Sequence, residues 1–147
     1  MSAFDDPYHL QRFVDAQEQV FDNVLAELQQ GRKYGHWIWF IFPQLKGLGR
    51  SSTSEFYGIS SLAEAEAYME HPLLGPRLIQ CTELVIAAET GHAEEIFGEV
   101  DAMKFRSCMT LFAQAAPANR VFTDALEKYF GDEPDGVTLS YLKGPRA

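Results

Sequence analysis

Cysteine is scarce in this chain: Cys81 and Cys108 are the only two among 147 residues. Each sits in an apolar helical pattern, which excludes a disulfide framework and reads as a pair of reduced core thiols. Long apolar runs are missing as well. The longest, residues 37–42, has six residues, against about twenty for a membrane span, so no membrane insertion is expected. The first six residues, Met1-Ser2-Ala3-Phe4-Asp5-Asp6, lack the basic and apolar regions of a secretion signal, and the cytoplasm is the expected location. His9, His36, His71 and His92 are scattered, with no zinc-site spacing, so neither a metal nor another cofactor is expected. Positive charge is short too. Twelve Lys and Arg face 21 Asp and Glu for a net −9, which disfavours nucleic acid and anionic membrane as partners.

What is abundant points to a packed core. Aromatic residues make up 13% of the chain, a high share that argues against disorder. A chain of this length buries roughly two-thirds of its unfolded surface and needs no division into domains. The acidity also has a gap: residues 28–54 contain no Asp or Glu, yet hold Arg32, Lys33, Lys46 and Arg50 together with His36. The other eight cations face all 21 acids, −13 for the rest of the chain.

Asp6 before Pro7 marks a helix start, and Leu10, Phe13, Val14, Gln17, Phe21, Val24, Leu25 and Leu28 recur at helical spacing up to about Gln30. One helix, or two with a bend near residues 17–19, fit this pattern equally. Residues 33–42 read as a short buried helix closed by Pro43, with a strand as the alternative. Residues 44–54 form a Gly/Ser loop that leads into a short helix over 55–59. Ser61 and Glu64 have capping-box spacing and predict a helix ending near Glu70. His71-Pro72 breaks the chain before a helix over about 75–88, with Leu78, Ile79, Thr82, Val85 and Ile86 inward. Residues 93–97 add one turn capped by Gly98, and Asp101 caps a helix reaching Ala115. A last amphipathic helix uses Val121 to Phe130, with Gly131 as its C-terminal cap. The expected ordered core is about residues 6–131, followed by an acidic tail in which Leu139 and Leu142 could dock one more turn. The fold class is all-α: a compact single-domain bundle of about six to eight helices with short connections.

Three constellations carry candidate chemistry. In Gly47-Leu48-Gly49-Arg50-Ser51-Ser52-Thr53-Ser54, backbone amides, hydroxyls and Arg50 at a helix start suit an anion. The segment is neither a Walker A loop nor a dinucleotide fingerprint, and a plain surface turn with a serine cap explains it equally. In the segment from His36 through Trp39 to Gln44, a helix would place Trp39 and Phe42 on one side with His36 a turn earlier, a wall on which a planar ring could stack, although the same aromatics also serve a core. Asp101, Lys104 and Ser107 share one helical stripe, so Lys104 could meet a ligand phosphate or only the Asp101 carboxylate. Ser107 has no nucleophile elbow around it, so no nucleophile is assigned.

These segments together resemble a bacterial family known as domain of unknown function 1810. The residues that carry the likeness are Asp6-Pro7-Tyr8, Arg12-Phe13, His36-Trp37-Ile38-Trp39-Phe40-Ile41-Phe42-Pro43-Gln44, Gly47-Leu48-Gly49-Arg50-Ser51, Tyr57, Leu74-Gly75-Pro76-Arg77-Leu78, Ile96-Phe97-Gly98 and Met109-Thr110-Leu111-Phe112. The resemblance implies a mostly helical fold and no established reaction. Some relatives carry the label calpastatin, which is discounted because that inhibitor is a disordered repeat protein. The chain departs from the family pattern at His9 (Asn is usual), Ile38 (Met), Gly58 (Ala) and Cys108 (a second Ser).

The leading functional expectation is a pocket beside the Trp-rich segment and the Gly/Ser loop. It would take an anionic or phosphate-bearing small molecule and be lined by His36, Trp39, Gln44, Arg50, Ser51, Tyr57, Lys104 and Ser107. The alternative is an interaction module, binding a protein partner or a second copy through an exposed aromatic or acidic surface. That alternative expects Trp37 or Trp39 in an exposed apolar patch.

Overall fold

Helix-forming signals dominate the chain, and the computed structural model, which describes residues 6–143, realises them as an all-α domain. Among the described residues there are nine helices: α1 (Gln11–Glu18), α2 (Phe21–Gln29), α3 (Ile38–Ile41), α4 (Ser52–Tyr57), α5 (Leu62–Glu70), α6 (Leu74–Ala87), α7 (Ala93–Ala115), α8 (Val121–Phe130) and α9 (Gly136–Lys143). The count exceeds the expected six to eight because the N-terminal helix is two and the tail folds. The only sheet-like feature among the described residues is an isolated parallel bridge between Leu45 and Ile59. Helix α7 is central, with α3, α5, α8 and α9 packed around it. No helix among the described residues is long and apolar enough to cross a membrane.

Aromatic residues build the core. Phe42 meets Phe105 edge-on at 5.0 Å, Phe105 stacks on Phe97 at 4.9 Å, and Tyr68 joins Phe13 at 5.1 Å to Phe112 at 5.3 Å. Such pairs add to the apolar area they bury. Both cysteines are buried and free. Burial pushes the Cys81 thiol up to about 12 and that of Cys108 well above its usual range, so both are poor nucleophiles.

Four local expectations are corrected. Asp6 does cap a helix, but from a distance: its carboxylate accepts from the N–H of Leu10 at 2.7 Å and of Gln11 at 2.9 Å. Residues 7–9 form a turn first, with His9 at φ 55, a conformation that favours Asn over most side chains. Residues 33–37 are not helical: Glu27 Oε1 accepts from Tyr34 N–H (2.7 Å), Gly35 N–H (3.0 Å) and the Trp37 indole (2.9 Å), and the chain bends at Gly35 and His36 before entering α3. The short helix expected over 55–59 starts at Ser52, since Ser51 caps it by accepting from Ser54 N–H at 3.0 Å. Asp101 lies inside α7 rather than at its cap; Gly98, at φ 80 and ψ 169, breaks that helix three residues earlier.

One buried ion pair organises the N-terminal half. Arg12 is 8% exposed, and its guanidinium donates to Phe56 O (2.8 Å), Tyr8 O (2.6 Å), His9 O (2.7 Å), Gly58 O (3.1 Å) and Glu64 Oε2 (2.8 Å). A guanidinium has five N–H donors, so all are engaged. Glu64 Oε1 accepts from the N–H and hydroxyl of Ser60. The capping box is therefore half formed: Ser61 Oγ accepts from Glu64 N–H at 3.1 Å, while the Glu64 carboxylate turns to Ser60 and Arg12. Between these anchors Lys46 N–H donates to Ile59 O and Ile59 N–H to Gln44 O, both at 2.8 Å. Gly58 permits this approach, because a Cβ there would lie 2.6 Å from Lys46 Cα.

Removing one member of a buried pair costs about 3–5 kcal/mol. Glu64→Ala is expected to lose that much in urea titration. The double change Arg12→Met/Glu64→Leu should cost well under the sum of its single changes, and additive losses would contradict the coupling.

Candidate functional site

The basic segment divides by role once folded. Lys33 is buried against the core, pairs with Asp101 at 2.7 Å and lies 5.2 Å from the Trp37 ring centre. Arg32 covers Tyr34 at 5.8 Å. Lys46 and Arg50 are exposed and take part in none of the ion pairs among the described residues. Arg32 forms no ion pair either, so Lys46 and Arg50, which flank the Gly-Leu-Gly turn, are the cations of this segment with neither an ion pair nor an aromatic face among the described residues.

The eight candidate residues do not line one pocket. His36 is exposed in the bend before α3. Trp39, half-buried on α3, lies under Lys104, whose Nζ is 5.3 Å from the ring centre. Gly49 packs so closely on the same indole that a Cβ would meet Cη2 at 2.9 Å. Ser51 is the α4 cap, and Arg50 beside it projects into solvent. Tyr57 ends α4 in an aromatic cluster with Phe56 at 4.8 Å, Phe40 at 5.3 Å and Phe13 at 5.8 Å. Burial raises its phenol above the ordinary value, with Arg12 opposing. Lys104 pairs with Asp101 at 3.3 Å. Gln44, Lys104 and Ser107 do converge, in a cleft of about 310 Å³ shared with Leu48, Val100, Met103, Asp135 and Val137.

A second and larger cleft, of about 580 Å³, was not anticipated. Its walls are Leu45, Lys46, Ser60, Ser61, Leu62, Ser140, Tyr141 and Leu142. Lys46 comes from the bridged segment, the two serines from the start of α5, and Ser140 and Tyr141 from α9. No acidic residue lines it. Ser60 donates its hydroxyl to Glu64, but Ser61 only accepts, from Glu64 N–H, so its proton is free to donate. The positive end of the α5 dipole faces the same space. Of these groups the sequence singled out Lys46 for its charge, Ser61 as a helix cap and Leu142 as a docking contact of the tail, none of them as part of a pocket. The signal for the rest was the start of α9, where Asp135 precedes Thr138 by a capping interval: Asp135 Oδ2 accepts from Thr138 N–H at 3.0 Å and from its hydroxyl at 2.6 Å. That cap, with Thr110 Oγ1 accepting from Asp135 N–H at 2.8 Å, docks a full helix where one turn was expected.

Comparison with known proteins agrees with this architecture. A family model described as protein of unknown function (DUF1810) matches residues 7–142. The chain belongs to this family. A solved structure, the conserved hypothetical protein Rv1873 from Mycobacterium tuberculosis, is 52% identical, with a TM-score of 0.93 over 95% of this chain and 100% of that one. No curated protein matches the chain. The DUF1810 resemblance of the Trp-rich segment thus holds, and with it the helical fold. Neither relative brings a reaction. Among the described residues no three His, Cys, Asp or Glu side chains gather to hold a metal ion.

Glu27, which fixes the approach to the Trp-rich segment, also gives a pH test. Burial alone would raise its pKa, but hydrogen bonds from Tyr34, Gly35 and Trp37 and the charge of Lys33 outweigh it, so the net shift is below the ordinary 4.5. A carboxylate with a lowered folded-state pKa contributes stability above the unfolded value and loses it as pH falls through the folded value. The stability gap between wild type and Glu27→Gln is expected to be full at neutral pH and to shrink below 4.5, as followed by urea titration across pH. A gap that widens on acidification would contradict the assignment.

Proposed function

We propose that the protein binds an anionic, phosphate-bearing small molecule in the cleft between the Lys46 segment, the start of α5 and α9. The observation that carries this reading is the lining: an unpaired lysine and several hydroxyls with no acid among them, in a chain of net charge −9. A protein this acidic repels anions in general, so an acid-free pocket with a free cation marks where one would be tolerated. Lys46 supplies the charge, Ser61, Ser140 and Tyr141 the hydrogen bonds, and Leu45, Leu62 and Leu142 an apolar wall. This keeps the ligand class expected from the sequence and moves its address to the other flank of the Gly/Ser loop. Arg12, although near, has no donor left for a ligand. Binding rather than a reaction is proposed, since no activated nucleophile accompanies these groups. A cytoplasmic location belongs to the same reading, where two buried reduced thiols are at home.

Docking through an exposed tryptophan has less behind it: Trp37 is 3% exposed and Trp39 lies between Lys104 and Gly49.

Thermal shift against inorganic phosphate, pyrophosphate, nucleotides and sugar phosphates tests the proposal. Ligand at 100 times Kd should add about 2.7 kcal/mol to stability, a rise of several degrees for a domain of this size. Lys46→Met should weaken that ligand at least about tenfold, the effect of losing about 1.4 kcal/mol of charge-assisted bonding. No shift with any phosphate compound would overturn the reading.

A further inference from the structure

The α9 wall of the Lys46 cleft carries an aromatic ring without an aromatic or cationic partner. Tyr141 lines the cleft and is 49% exposed. Gly47 touches it on one side only. A Cβ placed on Gly47 would lie 3.2 Å from Tyr141 Cε2 and 4.0 Å from its hydroxyl oxygen, with no other atom of the ring within 4 Å. Contact in the plane of the ring gives that pattern, whereas a residue lying over the face would have Cζ and Cδ2 nearly as close as Cε2. Gly47 therefore meets the ring at its edge and leaves the faces clear. Its φ of 98, a conformation that side chains avoid, keeps the position bare. No aromatic pair and no cation–ring contact among the described residues involves Tyr141. A half-exposed tyrosine alone is ordinary. Its place is what matters here, since Lys46 is the residue before Gly47 and lines the same acid-free cleft.

Charge and open ring are thus neighbours on one wall, with the free Ser61 hydroxyl proton facing them. We infer that the phosphate-bearing ligand of this cleft is a nucleoside monophosphate, its phosphate held by Lys46 and Ser61 and its base stacked on Tyr141. The inference rests on the phosphate reading of the cleft and adds the ring. A base gains from an aromatic face by stacking and needs no charged partner there, which suits a wall whose only charge is Lys46. Size points the same way. The cleft measures about 580 Å³, within the range of sites for whole small molecules. A bare phosphate would leave most of it, and the apolar sides of Leu62 and Leu142, unfilled.

AMP and ribose 5-phosphate, which carry the same phosphate and differ by the base, are the probes. They are titrated into the full chain and followed by NMR at the Tyr141 ring protons and the Lys46 amide. AMP is expected to bind at least about fivefold more tightly than ribose 5-phosphate, the low end of what stacking on an aromatic side chain supplies, and to move the Tyr141 ring signals upfield through its ring current. Tyr141→Phe, which removes only the hydroxyl, should keep that ratio of affinities. Tyr141→Leu, which removes the ring, should bring it close to one. The side chain is half exposed, so neither change threatens the fold. Equal binding of the two probes to the unaltered protein overturns this inference and leaves the phosphate reading standing, as does a Tyr141→Leu variant that keeps the preference for AMP. Binding of neither probe overturns both.

Discussion

The guanidinium of Arg12 is the constraint on which the N-terminal half depends. Burying it is tolerable only because every N–H finds an acceptor, and those acceptors come from four places: the turn before α1, the end of α4, the residue after α4, and Glu64 on α5. A charge out of water must be both paired and fully hydrogen-bonded. Satisfying Arg12 therefore sets where α4 stops and how α5 enters. The same bonds bring Gly58 and Ile59 against residues 44–46, and the Leu45–Ile59 bridge follows.

That bridged segment and α9 wall both clefts. Gln44 and Leu48 face the smaller one with Val137, and Leu45 and Lys46 the larger one with Ser140, Tyr141 and Leu142. Helix α9 is held by α7, where Arg106 donates to Glu133 O at 2.9 Å and Thr110 and Ser107 engage Asp135. Two non-local polar networks, one around Arg12 and one around Asp135, thus define the two sides of the surface that the functional readings use.

Local signals made much of the helical plan legible. The α5 start at Ser61, the break at Gly98 and the left-handed cap at Gly131, with φ 62, follow from residues acting on their neighbours. What the sequence concealed was decided across long separations. The six-residue apolar run could not reveal that Glu27, seven to ten positions before the groups it binds, would hold the approach out of the helix. Glu64 looked like half of a capping box until Arg12, 52 residues away, claimed its carboxylate. The candidate site suffered likewise: Gln44, Lys104 and Ser107 meet because α7 packs beside the Gly-Leu-Gly turn, whereas Arg50 and His36, plausible by residue type, face water. Ser51, read as a ligand contact in a loop ahead of a helix over 55–59, is instead the cap of a helix that starts at Ser52.

The central claim is that Arg12 positions the segment that walls both clefts. Amide hydrogen exchange in wild type and Arg12→Lys tests it most directly, because lysine keeps the charge but cannot reproduce the five-donor fork. The N–H groups of Lys46 and Ile59, which form the bridge, are expected to lose at least about tenfold in protection relative to amides in α7 and α8, as local opening becomes easier by about 1.4 kcal/mol. Equal protection of Lys46 and Ile59 in the two proteins would contradict the account.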